Sequence, residues 1–205
     1  MLVRARPFLN IDALRHALNT EPDAGVIHDF ASALLQLTRG ETCVLTHHGR
    51  DALTLALRAA KIQPGDEVIV PNFICEVVID TILIEGALPV LVDSDSTDFN
   101  VSEVAILENI SEKTKAVLVT HLFGVPKDFM RIKAKCEKYG IVMIEDCAQA
   151  LTSELNEENV GRIGDFSFLR IPAHVFAHLF PVPFDIENVV GDLKGQSDVF
   201  TIGGN

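Results

Sequence analysis

The chain has 205 residues, 48% of them hydrophobic, which is enough for one sizeable core and roughly one domain. Its formal net charge of −12 argues against a nucleic-acid or anionic-membrane surface, since both require basic patches. Cys43, Cys75, Cys136 and Cys147 form no CxxC pair and read as reduced thiols, neither a disulfide frame nor a zinc site. No basic-then-apolar leader and no bilayer-length apolar run is present, so the expectation is a soluble, cytoplasmic protein.

Residues 1–40 carry a helical pattern and no recognisable chemistry. Ile11, Leu14, Ala17 and Leu18 recur at helical spacing, as do Phe30, Ala33, Leu34 and Leu37, with a break at Glu21-Pro-Asp-Ala-Gly25. Thr42-Cys-Val-Leu-Thr46 is a short apolar strand, followed by His47-His-Gly-Arg-Asp51 and a helical run from Ala52. A strand, a glycine turn and a helix start together suit an anion, because free N–H groups and the helix dipole face it. An ordinary strand-to-helix turn has the same pattern. Adjacent His47 and His48 seldom converge on one metal without further ligands.

Glu67-Val-Ile-Val-Pro71 is a strand ended by proline, and a helix is expected over 77–84 despite its β-branched residues. Leu88-Pro-Val-Leu-Val-Asp93 is the next strand, 101–110 a helix, Ala116-Val-Leu-Val-Thr-His121 a buried strand and 128–139 an amphipathic helix. Ile141-Val-Met-Ile-Glu-Asp-Cys-Ala-Gln-Ala150 then passes abruptly from an apolar run into carboxylates. The run reads as a buried parallel strand, which puts Asp146 at its C-terminal end, where open α/β sheets form ligand crevices. Glu145 and Asp146 could equally cap the following turn. The alternation of strands and helices predicts an α/β fold, a three-layer αβα arrangement around a mostly parallel sheet. A dinucleotide site is disfavoured, because only His48-Gly-Arg50 stands where G-x-G-x-x-G is needed.

Five motifs in order carry a resemblance: Thr46-His-His-Gly-Arg-Asp-Ala-Leu53, Pro64-Gly-Asp-Glu-Val-Ile-Val-Pro71, Pro89-Val-Leu-Val-Asp93, Thr120-His-Leu-Phe-Gly124 and Ile144-Glu-Asp-Cys-Ala-Gln-Ala150. Together they resemble the DegT/StrS-type sugar aminotransferases, pyridoxal-phosphate (PLP) enzymes of fold type I, over roughly residues 40–170. The resemblance implies a PLP-dependent transferase large domain acting on sugar nucleotides with an amino donor, and a homodimer. Gly49, Arg50 and Asp51 would hold the cofactor phosphate, and Asp146 would sit against the pyridine nitrogen and keep it protonated. Gln149 would approach the ring hydroxyl. Cys75 matches the residue over the ring face, where many relatives have an aromatic. Ser167 matches a phosphate-contacting serine.

The pattern breaks five residues after Ser167, where the family has its Schiff-base lysine and this chain has Pro172, which has no amine. No catalytic residue is therefore assigned. Lys194 is the lysine downstream, and neither His174 nor His178 stands at the matching position. The expected division is an N-terminal helical segment (1–40), a partial PLP-binding domain (41–170) and a divergent or frameshifted tail (171–205), with the family's small C-terminal domain missing. Three functions stay open: an incomplete or inactive aminotransferase copy, a non-catalytic PLP or nucleotide-sugar binding module, and a structural or dimerisation remnant.

Overall fold

Apolar runs bounded by proline, glycine or charge become the strands, and amphipathic runs between them become the helices. The structure, a computed structural model, describes residues 24–46, 48–151, 153–170 and 198–202. The order is α1 (Ala24–Thr38), β1 (Thr42–Thr46), α2 (Gly49–Ala59), β2 (Glu67–Pro71), α3 (Glu76–Ile84), β3 (Leu88–Val92), α4 (Glu103–Glu108) and β4 (Thr114–Thr120). There follow α5 (Met130–Tyr139), β5 (Val142–Cys147), a small hairpin of β6 (Glu154–Leu155) and β7 (Glu158–Asn159), β8 (Phe166–Arg170) and β9 (Asp198–Ile202). The helix expected over 11–18, and Pro172, His174, His178 and Lys194, lie outside the described residues.

Seven strands form one sheet in the order β1-β9-β8-β5-β4-β2-β3. The pairs β2–β3, β2–β4, β4–β5 and β5–β8 are parallel, whereas β9 runs antiparallel to both β8 and β1. The expectation of a mostly parallel sheet therefore holds, with β9 as its one reversed strand among those described. The sequence-based boundary at residue 170 left this strand inside the tail, whereas it lies in the middle of the β1 side of the sheet. A strand's neighbours are set by pairing across the whole chain, which local composition does not reveal.

Strand alternation makes the two faces. In β4, Ala116 and Leu118 join Leu53 and Leu57 of α2 and Ile82 of α3 in one core. Val117 and Val119 face the other way, against Ile106 of α4 and Ile132 of α5. Each large side chain buried in this way contributes about 1.5–3 kcal/mol of transfer free energy. On α1, Phe30 and Leu34 pack with Cys147, Ala150 and Leu169, so the N-terminal helix rests on the sheet.

Helix ends follow local chemistry. Ser102 caps α4, its Oγ accepting from the Ala105 N–H at 3.3 Å, which starts the helix two residues later than the apolar pattern suggests. Gly140 ends α5 with φ 66°, and the Ile141 N–H reaches back to the Cys136 carbonyl at 2.9 Å. That is a left-handed glycine stop, and it aims the chain straight into β5. No helix among the described residues is long and apolar enough to cross a membrane.

Candidate functional site

The C-terminal ends of β4, β5 and β8 face the first turns of α2 and α3 across a crevice of about 450 Å³. Its floor is a row of register partners, Thr120, Asp146 and Phe168. Leu118 and Ile144, two residues earlier in their strands, lie in the core under α2 and α3, so alternation turns Thr120 and Asp146 to the same face. The opposite wall comes from Gly49 and Arg50 at the start of α2 and from Ile74 and Cys75 before α3.

His48 enters α2 in extended conformation with no side-chain cap, and its carbonyl accepts from Asp51 and Ala52 N–H at 2.9 and 3.2 Å. The helix therefore begins at Gly49, earlier than the apolar run at Ala52 indicates. The first N–H groups of a helix have no intrahelical acceptor, and the dipole makes that end positive. Two such ends, with Arg50 and Arg170 also lining the crevice, make this wall favourable to an anion. Asp146 supplies a carboxylate on the floor.

Asp146 is half-buried. Its Oδ1 accepts from the Ala148 N–H at 3.0 Å, and its carbonyl accepts from the His121 N–H at 3.2 Å. The carboxylate thus caps the turn after β5 and also borders the crevice, so the two sequence-level readings of this residue coexist. Gln149 is exposed, and its Oε1 accepts from the Phe123 N–H at 2.8 Å, which leaves the Nε2 amide as its donor end. Cys75 is exposed and precedes the first residue of α3.

The structure thus brings Gly49, Arg50, Cys75, Asp146 and Gln149 to one crevice. Asp51 and Ser167 are not among its lining residues. The Asp51 carboxylate lies 4.0 Å from Arg50 Nε, and its N–H already bonds to His48. Ser167 is buried, and β8 alternation turns it away from the face that Phe168 shares with the crevice; its side chain lies beside Gly161.

Two of the lining residues not singled out as site residues from the sequence bear on the chemistry. His121 is fully buried, and its Nδ1 accepts from the Lys127 N–H at 3.2 Å. That leaves the proton on Nε2, which donates to Glu145 Oε2 at 3.0 Å. Glu145, also fully buried, accepts further from the N–H groups of Gly161, Ile163 and Gly164. Cys147 completes a buried trio whose ligand atoms lie within 4.8 Å of one another. The trio suits a structural knot better than a metal site, because the hydrogen bonds already occupy His121 and Glu145. Burial, and then the neighbouring Glu145 and Asp146 charges, also push the Cys147 thiol well above its usual range, away from the thiolate a metal needs.

The second is Thr120, which is 4% exposed and whose Oγ1 has no hydrogen-bond partner among the described residues. A buried polar group left unpaired costs about 1–3 kcal/mol. In the sequence Thr120 reads as one more β-branched residue of a buried strand. The signal that separates it from Val119 is the register that turns it to the crevice.

Three comparisons bear on the family and the fold. A protein of Acidithiobacillus ferrooxidans described as UDP-N-acetyl-3-dehydro-alpha-D-glucosamine 3-aminotransferase is 46% identical over 123 residues, covering 58% of this chain and 33% of that protein. The dTDP-3-amino-3,6-dideoxy-alpha-D-galactopyranose transaminase of Aneurinibacillus thermoaerophilus is 40% identical over 147 residues, covering 70% of this chain and 40% of that protein. The X-ray structure of an aminotransferase from Psychrobacter cryohalolentis superposes with a TM-score of 0.80 at 27% identity, covering 96% of this chain and 48% of the other. The chain therefore spans a third to two fifths of the length of these curated relatives. The profile of the DegT/DnrJ/EryC1/StrS aminotransferase family matches residues 15–171, which end one residue before Pro172, and the chain belongs to that family.

Proposed function

We propose that the crevice binds pyridoxal 5'-phosphate and that the chain is the cofactor-binding portion of an aminotransferase-type protein for keto-sugar nucleotides. The observation that carries this reading is the convergence of Gly49, Arg50, Cys75, Asp146 and Gln149 on one crevice from separate parts of the chain. The donor set fits the cofactor: a helix start and arginines suit its phosphate, and a carboxylate beside a ring nitrogen favours the protonated ring. In this family the cofactor supplies an electron sink, while the protein supplies binding, orientation and charge. Here Gly49 and Arg50 would receive the phosphate, Asp146 would hold the proton on the pyridine nitrogen, and the Gln149 amide would approach the ring hydroxyl. Cys75 would lie against the ring face. Asp51 and Ser167 lie outside the crevice lining.

Turnover is not part of this proposal. The matching position for the lysine that would carry the amine is Pro172, and a loosely positioned substitute such as Lys194 would act poorly, since even an ångström of misplacement costs on the order of a hundredfold in rate. Titration with pyridoxal 5'-phosphate followed by visible absorption should give saturable, non-covalent binding. Borohydride reduction, digestion and mass spectrometry should then yield only scattered pyridoxyl adducts on surface lysines such as Lys113. A stoichiometric adduct at Lys194, with turnover of an amino donor that Lys194→Ala abolishes, would overturn the inactive reading.

Homodimerisation is the second part of the proposal. The rings of Phe73, Phe99 and Phe123 lie together, with Phe73 centred 6.5 Å from Phe99 and 6.3 Å from Phe123, and all three are exposed. Phe73 precedes Cys75 by two residues, and Phe123 is hydrogen-bonded to Gln149, so this apolar patch rims the crevice. Clustered exposed aromatics mark an interaction surface, and a second copy would cover it.

A further inference from the structure

We infer that Thr120 is a ligand-contacting residue of the crevice, its hydroxyl bonding a polar atom on the ring end of bound pyridoxal phosphate beside Asp146. The inference rests on the cofactor reading above and adds to it a residue that the family motifs did not single out for a role. Thr120 ends an otherwise apolar buried run, Ala116-Val-Leu-Val-Thr120, in which valine would fill the same space without a polar atom. Its Oγ1 is buried and has no partner among the described residues, while Thr38 and Thr81, both buried in helices, return their hydroxyls to the carbonyls of Leu34 and Val77 at 2.8 and 2.7 Å. Thr46, at the end of β1, likewise donates to the His48 carbonyl two residues on at 3.2 Å, whereas Thr120, at the end of β4, has no such partner among the described residues.

The direction of the side chain is fixed by register. Thr120 stands opposite Asp146, which stands opposite Phe168, and the row lies on the crevice floor. The neighbours His121 and Asp146 differ from Thr120: His121 is bonded to Glu145 and to the Lys127 N–H, and Asp146 Oδ1 accepts from the Ala148 N–H. A hydroxyl both donates and accepts, so it can meet either kind of polar atom on the ligand. Its place beside Asp146, across the crevice from the start of α2, assigns it to the ring and not to the phosphate.

The test uses the whole chain with Thr120→Val, which keeps the shape and removes the hydroxyl, and Thr120→Ser, which keeps the hydroxyl and removes the methyl. Affinities for pyridoxal 5'-phosphate, for pyridoxal and for inorganic phosphate are measured by absorbance or competition titration, and melting is followed without ligand. The expected result is about tenfold weaker binding of both pyridoxal 5'-phosphate and pyridoxal by Thr120→Val, corresponding to one hydrogen bond. Inorganic phosphate binding should be unchanged, Thr120→Ser should stay within about threefold of the parent, and ligand-free Thr120→Val should melt no lower than the parent. Equal pyridoxal 5'-phosphate affinity in Thr120→Val, an equal loss in Thr120→Ser, or a lower melting temperature of ligand-free Thr120→Val would overturn the inference while the cofactor reading stands. Failure of the parent chain to bind pyridoxal 5'-phosphate would overturn that reading and this inference with it.

Discussion

Glu145 ties four donors together in the buried interior. Its carboxylate accepts from three backbone N–H groups and from His121, with no solvent access. Glu145→Gln turns one acceptor end into a donor facing donors, and losing one partner of a buried network costs about 3–5 kcal/mol. Urea unfolding should show a loss of that size, and a loss under about 1 kcal/mol would mean that solvent reaches the knot. Asp95 behaves differently because it sits at the surface. The Thr97 hydroxyl, the Lys127 ammonium and the Thr97 N–H hold its carboxyl down at about 2. A depressed carboxyl stabilises the fold above its unfolded value near 3.9 and loses that contribution as pH falls through the folded value. The melting-temperature gap between the parent and Asp95→Asn should therefore be constant from pH 7 to 5 and close between pH 4 and 2. A gap that persists at the acid end would show that the effect is not electrostatic.

Among the elements, α5 depends on its exit. Gly140 has φ 66°, and a Cβ there would meet nothing within 4 Å, so Gly140→Ala tests backbone strain alone. The expected cost is about 1 kcal/mol by denaturant titration, with no change in the slope. This exit was legible in the sequence, since Gly140 separates an amphipathic run from an apolar one. The same is true of β2, β3, β4 and β5, whose apolar runs end in proline, charge or glycine. The start of α2 was not, because His48 has no capping side chain and the apolar pattern begins only at Ala52. At the site, Asp146 was legible as the end of a strand and Gly49 as a residue just beyond one. Thr120 and the turning away of Ser167 were not, because both depend on which face a residue meets, and face is fixed by register. The β9 segment shows the same limit at longer range, since its partners lie more than 25 residues away in sequence.

For the whole molecule, the aromatic rim is the feature most open to test. Phe73→Ser with Phe123→Ser should shift sedimentation velocity from dimer to monomer at micromolar concentration, while the melting temperature of the isolated chain changes little. A parent chain that sediments as a monomer would remove the dimer from the proposed function without touching the crevice. The reversed strand β9 has a consequence for how the molecule is made. It wedges between β1 and β8, so among the described strands β1 has no neighbour until β9 arrives. On a ribosome adding about 5–20 residues per second, the roughly 150 residues between them take on the order of ten to thirty seconds. During that interval β1 emerges as an open edge, free to pair with a neighbouring nascent chain, and a partner or chaperone that shields it would act before the sheet is complete.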